Sequence, residues 1–226
     1  MRIAEVRALR DTAVRMENFL LTGRHVRLEP LELRHVDALD AASSVDPSLY
    51  QWSAVPVGKA ATQAYVGTAL AARGAGTAVP FVVVRLTDEA VIGSTRFFDL
   101  EYWPWPGDHP MKQRGLPDAC EIGYTWYTKS GIRTAANSEA KLLMLAHAFE
   151  TWKLARVCLH TDERNAHSRA AMERLGCRFE GILRAHRLAV DLIPRNSARY
   201  SIVAAEWPDM KARLEALQAR HAQTTT

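Results

Sequence analysis

Residues 121–141 read EIGYTWYTKSGIRTAANSEAK, and this is the most informative stretch of the chain. Its beginning has the composition of a strand, and the apolar run after Ser138 has the pattern of a buried helix. A turn of small and basic residues joins the two. A strand that passes through such a turn into a helix offers backbone N–H groups without partners and the positive end of the helix dipole. The stretch therefore favours a bound anion.

Several residues of this turn suit a phosphate group. Asn137 or Ser138 is predicted to cap the helix. Lys129 and Arg133 add fixed positive charge close by. The two alanines at 135–136 let the backbone approach a ligand closely. The turn is therefore a candidate phosphate site.

Periodicity along the rest of the chain predicts an α/β (α+β) fold with a mixed sheet of about seven strands flanked by helices. Strands are predicted at 24–29, 79–86, 90–99, 120–128, 156–161, 178–190 and 196–205. Helices are predicted at 33–46, 59–73, 138–153, 165–175 and 208–220, the fourth followed by Gly176 as its C-cap. The order strand, helix, strand over 120–161 implies a parallel crossover, and the hairpins elsewhere imply antiparallel neighbours.

An insert at 100–119 interrupts this pattern with four prolines, a tyrosine and two tryptophans, Trp103 and Trp105. Loops of this length inside a compact domain are usually lids, binding loops or disordered segments. A tryptophan exposed on a proline-stiffened loop suits contact with a ligand or a subunit. The alternative is a surface loop whose aromatic rings pack on the domain, and the sequence leaves both open.

The composition is that of one soluble domain with a short appendage. The chain has 226 residues, of which 48% are hydrophobic and 24% charged, and a chain of this length buries a core without disulfides or a structural metal. Residues 1–20 have the spacing of an amphipathic helix, with charges that argue against a signal peptide. The predicted boundaries are an appendage at 1–20 and a domain at 21–226. The appendage could cover the domain, pair two subunits into a homodimer or be a mobile tail.

The cysteines and the hydropathy bear on the compartment. Cys120, Cys158 and Cys177 lie far apart in apolar stretches, which predicts reduced, buried thiols in a cytoplasmic protein. Neither the cysteines nor the histidines have the spacing of a zinc site. The chain has no window of the ~18 uninterrupted apolar residues that a membrane span requires.

The small positive charge of the chain is concentrated near the candidate phosphate site. The net charge is +4, and Lys129, Arg133 and Lys141 lie around the turn in sequence. A nucleotide-like cofactor explains this excess better than nucleic acid, which usually requires a denser basic patch.

Beyond these residues, the chain resembles the GCN5-related N-acetyltransferase superfamily, and within it the branch that acetylates ribosomal-protein N-termini. The resemblance runs from about residue 21 to about residue 207. It is carried by LTGRHVRLEPL at 21–31, IGSTR at 92–96, EIGY at 121–124, the pair Asn165 and Ser168, RLGC at 174–177 and EGILR at 180–184.

This resemblance implies a strongly twisted sheet with a V-shaped split between two central parallel strands, in which acetyl-CoA lies. It implies that the pantetheine arm pairs with the backbone of Tyr124, Thr125, Trp126 and Tyr127. It also implies that the pyrophosphate lies on the turn formed by Ile132, Arg133, Thr134, Ala135, Ala136, Asn137 and Ser138. At the head of the next helix, Asn165 would hydrogen-bond the pantetheine, and the Ser168 hydroxyl would lie near the sulfur and return a proton to it.

The chain departs from the family at the turn. The usual pattern, Gln/Arg-x-x-Gly-x-Gly/Ala, falls on 132–137 and gives Ile132, Ala135 and Asn137 at the three marked positions. Asn137 tolerates a left-handed backbone better than most residues do, whereas Ala135 does not. Arg133 is a candidate replacement for the missing cation.

Acetylation of an amine requires a neutral nucleophile, so a base must accept a proton near neutral pH. Glu121 at the start of the central strand is the leading candidate, with Asp99 and Glu101 as alternatives. A salt-bridged glutamate at a strand start explains Glu121 almost as well. Backbone N–H groups of the strand at 121–127 would stabilise the oxyanion.

The acceptor side is predicted less sharply. Trp103, Trp105, Asp99 and His186 are candidate substrate-binding residues. His147 and His160 are expected to be ordinary core or rim histidines, as most histidines on buried strands and helices are.

The sequence thus predicts an acyltransferase that moves the acetyl group of acetyl-CoA directly to a primary amine. The acceptor would be a small molecule or a protein N-terminus, with no metal, nucleic acid or membrane involved. The alternative is a catalytically idle acyl-CoA-binding module, which the altered turn at 132–137 suggests.

Overall fold

A computed structural model of the protein describes residues 19–224, which form one mixed sheet covered by helices on both faces. The strands are β1 (Leu21–Thr22), β2 (Val26–Pro30), β3 (Ala78–Arg85), β4 (Ala90–Glu101), β5 (Ala119–Tyr127), β6 (Arg156–Asp162), β7 (Arg178–Leu188) and β8 (Pro194–Val203). The helices are α1 (Val36–Ser44), α2 (Lys59–Gly74), α3 (Ala136–Ala146), α4 (Ala166–Leu175) and α5 (Trp207–Thr224).

The strands follow the order β1-β2-β3-β4-β5-β6-β8-β7. Neighbouring strands are antiparallel except β5 and β6, which are parallel. These two strands pair only where Ala119–Glu121 lie beside Arg156–Cys158. The α/β fold and the predicted parallel crossover are thereby confirmed. The eighth strand is the two-residue β1, which is too short to give a sequence pattern.

The two faces of the sheet carry separate cores, because side chains alternate between faces along each strand. Val82, Val84 and Trp126 pack with α1 and α2 on one face. Phe81 and Ile122 pack with α3 and α5 on the other face. We call these the α1/α2 face and the α3 face.

Helix α3 begins and ends differently from the prediction. It starts at Ala136, so Asn137 and Ser138 lie within its first turn, and the prediction that one of them is the N-cap is wrong. Thr134 closes this end instead: its Oγ1 accepts the N–H of Ala136 at 3.2 Å and donates to the Gly131 carbonyl at 2.8 Å. At the other end the α-helix stops at Ala146 and continues as one π-helical turn, His147–Thr151.

The start of α3 is fastened to the β1–β2 turn by a buried carboxylate. Glu139 accepts the backbone N–H groups of Arg24, His25 and Val26 at 2.8, 2.7 and 2.8 Å. A side chain at Gly23 would collide with this carboxylate. The position of the helix N-terminus therefore depends on one side chain that satisfies three backbone donors.

Residues 1–18 of the predicted amphipathic helix lie outside the described residues, so the appendage and its boundary stay a prediction. The last two residues of that helix, Phe19 and Leu20, are described and are not helical. Phe19 stacks on His147 with the ring centroids 4.0 Å apart and meets Phe81 and Trp152 at their ring edges.

His147 gives the fold a pH dependence. Burial among these aromatic rings lowers its pKa to about 4, from an ordinary value of about 6.5. The unfolded chain therefore binds a proton between pH 6.5 and 4 that the folded chain does not bind, and the free energy of unfolding falls as the pH falls through this window.

We expect His147 to lower the free energy of unfolding by about 1–2 kcal/mol between neutral pH and pH 4.5. This is less than the full shift in its pKa would give, because His147 is only partly buried. Urea unfolding of the His147→Phe variant over this range should show a weaker pH dependence than wild type. The exposed His167→Asn variant should keep the wild-type slope. Equal slopes for His147→Phe and wild type would contradict the assignment.

The insert folds back on itself. The Asp118 carboxylate accepts the Trp105 Nε1–H at 2.8 Å and the Trp103 backbone N–H at 2.8 Å, and the Arg114 guanidinium donates to it at 3.2 Å. His109 stacks on Trp105 with the ring centroids 4.5 Å apart.

Within residues 19–224 no helix has the length and apolar character to span a membrane. All three cysteines are free and buried, as predicted.

Candidate active site

The central feature of the sheet is the place where β5 and β6 separate. Glu121, paired with Cys158, is the last β5 residue with a partner on β6. Ile122, Val157 and Leu159 point into the core on the α3 face. By strand alternation, Glu121, Cys158 and His160 point to the opposite face.

Glu121 and His160 meet across this separation. Glu121 Oε2 lies 2.8 Å from His160 Nδ1, and their side chains are 7% and 5% exposed. Neither ring nitrogen of His160 has the alignment of a hydrogen bond with any described residue. A buried imidazole thus touches a buried carboxylate while its Nε2 has no hydrogen-bond partner in the described part of the chain.

A polar cavity of about 130 Å³ opens over this pair. Its lining includes Asp99, Glu101, Glu121, His160, His186 and Arg187. The Arg187 guanidinium donates to Asp99 Oδ2 at 2.7 Å and to Glu121 Oε2 at 3.3 Å. The His160 and His186 rings are 5.0 Å apart. Burial, and after it the charge of Arg187, lowers the pKa of His186.

The structure brings together four of the residues that the sequence singled out, Asp99, Glu101, Glu121 and His186. His160 was expected to be a satisfied core or rim histidine; it is buried as expected, but within the described residues its nitrogens have no aligned hydrogen bond. Alternation on β6 places His160 on the face opposite Leu159, and that pattern could have drawn attention to it. Its contact with Glu121 depends on the register between β5 and β6, which the sequence does not contain.

The two tryptophans of the insert lie elsewhere. Neither Trp103 nor Trp105 is part of the cavity lining. Trp105 is held by Asp118, and Trp103 is 40% exposed. Their assignment as substrate-binding residues stays a prediction.

On the other side of the separation lies the turn before α3, which is the candidate phosphate site. Ala135 and Ala136 are buried, and Arg133 and Thr134 are exposed. A left-handed backbone at Ala135 would have been unfavourable, but Ala135 has φ −64°, which is ordinary right-handed geometry. The left-handed residue is Arg133, with φ 59°. Ile132, which stands where the family has a cation, packs against the core.

In the strand segment 124–127, backbone groups are better placed than most side chains to contact a ligand. Tyr124 has φ 51° and is 47% exposed, and the Arg96 guanidinium lies 3.9 Å from the centre of its ring. Trp126 and Tyr127 are buried in the cores of opposite faces. Beyond Glu121 the strand edge that faces β6 has no paired residue in the described part of the sheet. Backbone groups on this edge are available to an extended ligand.

Asn165 is the N-cap of α4, and its side-chain oxygen accepts the backbone N–H of Ser168 at 3.0 Å. This contact explains Asn165 structurally and places the Ser168 side chain in the first turn of α4. Their predicted roles toward a cofactor stay predictions.

One charge of the predicted basic cluster lies elsewhere. Lys141 is buried, and its ammonium donates to Thr125 Oγ1 at 2.9 Å. Its side chain therefore points into the protein. Lys129 and Arg133 remain exposed near the turn. Of the three cations predicted to lie around the turn, Lys141 is thus the buried one.

These features fit acetyl-CoA. The unpaired edge of β5 suits the amide groups of an extended arm, and the first turn of α3 presents backbone N–H groups that suit a pyrophosphate. Within the described residues, no group of three or more His, Cys, Asp or Glu side chains is arranged to hold a metal ion.

Comparisons with known proteins agree with this geometry. The profile of the acetyltransferase (GNAT) domain matches residues 25–178. A GCN5-related N-acetyltransferase from Brucella melitensis is similar in structure, with a TM-score of 0.76 and 27% identity over 89% of this chain and 86% of that one. A protein of T. thermophilus assigned as an acetyltransferase is 34% identical over 89% of this chain and 98% of that one, with a TM-score of 0.71.

A third structure, Mycobacterium smegmatis RimJ in complex with CoA-disulfide, shares the fold. Its TM-score is 0.68 at 22% identity, over 88% of this chain and 93% of that one. A comparison with curated proteins finds no match.

Proposed function

Since the chain belongs to the GCN5-related N-acetyltransferase family and is an acetyl-CoA-dependent acetyltransferase, we propose that its acceptor is a primary amine, of a small molecule or of a protein N-terminus. The observation that carries this proposal is the buried Glu121–His160 pair, which lies where β5 and β6 separate. The pair borders a polar cavity on the α1/α2 face, whereas the turn at 132–138 and α3 cover the opposite face.

The cavity suits the head group of an amine. It is small, about 130 Å³, and three carboxylates, those of Asp99, Glu101 and Glu121, are among its lining. Such carboxylates attract an ammonium group, and Arg187 already lies between two of them as a resident cation. An amine that enters as a cation must then lose a proton before it can react.

The Glu121–His160 pair is placed to accept that proton. Acetyl-CoA supplies the acetyl group as a thioester. A bond forms between the acceptor nitrogen and the thioester carbonyl carbon, the bond from that carbon to sulfur breaks, and the proton from nitrogen passes to the pair. Glu121 Oε2 lies 2.8 Å from His160 Nδ1, and Nε2 has no hydrogen-bond partner among the described residues, so an acceptor amine can use Nε2 as its base.

The remaining assignments are proposals that rest on position. The backbone of Tyr124–Tyr127 is proposed to pair with the pantetheine arm and to stabilise the carbonyl oxygen through N–H groups. The turn from Ile132 to Ser138 is proposed to bind the pyrophosphate. Asn165 and Ser168 are proposed to contact the arm near its sulfur, where the Ser168 hydroxyl can return a proton.

The proposed acceptor class can be tested by measuring thiol release from acetyl-CoA with a panel of acceptors. The panel should contain small primary amines, N-terminal peptides, the same peptides with blocked N-termini, and alcohols. We expect turnover with at least one free amine, no turnover with its blocked form, and an amide product by mass spectrometry. Turnover of alcohols alone would contradict an amine acceptor. CoA binding without turnover of any amine would favour the idle module.

A further inference from the structure

The buried amine of Lys141 has no role in the proposed chemistry, and its surroundings are unusual. Lys141 is 5% exposed, and its Nζ donates to Thr125 Oγ1 at 2.9 Å. The Thr125 hydroxyl is also hydrogen-bonded to the Thr95 hydroxyl, with the two oxygens 2.8 Å apart. No carboxylate of the described residues lies within ion-pair distance of Nζ. Lysine is almost never buried without such a partner.

The absence of a counter-ion has an electrostatic consequence. Burial lowers the pKa of Lys141 to about 8, and the nearby Cys177 opposes this shift to a smaller extent. The ammonium form that prevails at pH 7 therefore lacks most of its hydration, and the described residues offer its three N–H groups one hydrogen-bond acceptor, the Thr125 hydroxyl. An apolar side chain of similar length would suit the surroundings of a core better than this charge does.

The location of Lys141 supplies a reason for it. Thr125 lies on β5 four residues beyond Glu121, where β5 and β6 no longer pair. Trp126 points to the α1/α2 face, so its neighbour Thr125 points to the α3 face, toward Lys141. The ammonium therefore lies on the α3 face, against the part of β5 that no longer pairs with β6.

We infer that Lys141 is a binding residue for the acyl-carrying arm of acetyl-CoA, to which it donates a hydrogen bond from the α3 side of the gap. This inference rests on the proposed use of the β5–β6 gap for the arm. The acceptor is a carbonyl oxygen, because the arm between the pyrophosphate and the thioester carries neutral amides. A lysine with a carboxylate partner would already be satisfied, whereas Lys141 keeps N–H groups for the ligand.

The first test is the affinity for CoA, measured by calorimetry on wild type and on Lys141→Met. The loss of a hydrogen bond from a charged group predicts a Kd about 10-fold to 100-fold higher for the variant. The unliganded variant should unfold at a higher temperature than wild type, because a buried charge is removed. Lys112→Met, which removes an exposed lysine of the insert, should change neither quantity.

A second measurement follows the proton. A carbonyl acceptor favours the ammonium form, so wild type should take up a fraction of a proton when it binds CoA near pH 8. Calorimetry in two buffers of different ionisation enthalpy measures this uptake, and Lys141→Met and Lys141→Gln should both lack it. The Gln variant tests the proposal even where the Met variant does not fold.

The outcomes separate this inference from the proposed function. An unchanged Kd with lower thermal stability in Lys141→Met would make Lys141 a structural residue and overturn the inference. Proton uptake that persists in Lys141→Gln would overturn it as well. If wild type itself does not bind CoA, the proposed function fails together with it.

Discussion

Replacement of Glu121 by glutamine is expected to lower kcat for acetyl transfer by at least about 100-fold, because a positioned base contributes about that much or more. The amide cannot accept the proton, and it removes the negative charge that lies 2.8 Å from His160 Nδ1. The acidic limb of the pH–rate profile should disappear. Affinity for CoA should stay nearly unchanged, since Glu121 points to the face opposite α3.

A control in the same cavity makes this test specific. Glu101 lines the cavity but is exposed, so Glu101→Gln should lower kcat by less than about tenfold. The kcat of His160→Gln should be nearly as low as that of Glu121→Gln. The kcat of the double variant should be little lower, because the effects of residues that act as a unit are not additive. An unchanged pH profile in Glu121→Gln would remove Glu121 from the mechanism.

Replacement of Glu139 by alanine is expected to lower the free energy of unfolding by about 3–5 kcal/mol. Its carboxylate satisfies three backbone N–H groups, and each buried donor left without a partner costs about 1–3 kcal/mol, less where water enters. Urea denaturation at neutral pH measures this loss. The variant should also bind CoA more weakly, because Glu139 fixes the helix end that carries the candidate phosphate turn.

The matched control is Glu215→Ala, which removes an exposed glutamate from helix α5. Surface substitutions of this kind usually change stability by no more than about 0.5 kcal/mol. If the free energy of unfolding fell as little in Glu139→Ala as in Glu215→Ala, the three hydrogen bonds would be no stronger than hydrogen bonds to water. The tie between the β1–β2 turn and α3 would then have no energetic importance.

Most of the fold followed from local patterns. Alternation and apolar periodicity placed the longer strands and the five described α-helices to within a few residues, apart from the end of α3, as in Ala119–Tyr127 for a strand predicted at 120–128. The errors lie at helix ends. Thr134 rather than Asn137 or Ser138 closes the start of α3, since the cap depends on how the preceding turn folds. The π-helical turn His147–Thr151 has the same composition as a regular helix end.

The site followed from the sequence only in part. Glu121 was singled out because a carboxylate at the start of a central strand suits a base. His160 was not, because its contact with Glu121 requires the register of two strands separated by a whole helix. Lys141 was grouped with Lys129 and Arg133 because the three are close in sequence, although its position on α3 turns it inward.

The sequence by itself determined the elements, their order, the parallel crossover and the family, because each depends on residues close together in the chain. Tertiary structure alone decided which polar side chains meet. The β5–β6 register brings Glu121 to His160, the separation of these strands leaves one edge of β5 unpaired, and the packing of α3 isolates the Lys141 amine. Contacts of this kind join residues 16 to 39 positions apart, and only the packed sheet and helices fix their geometry.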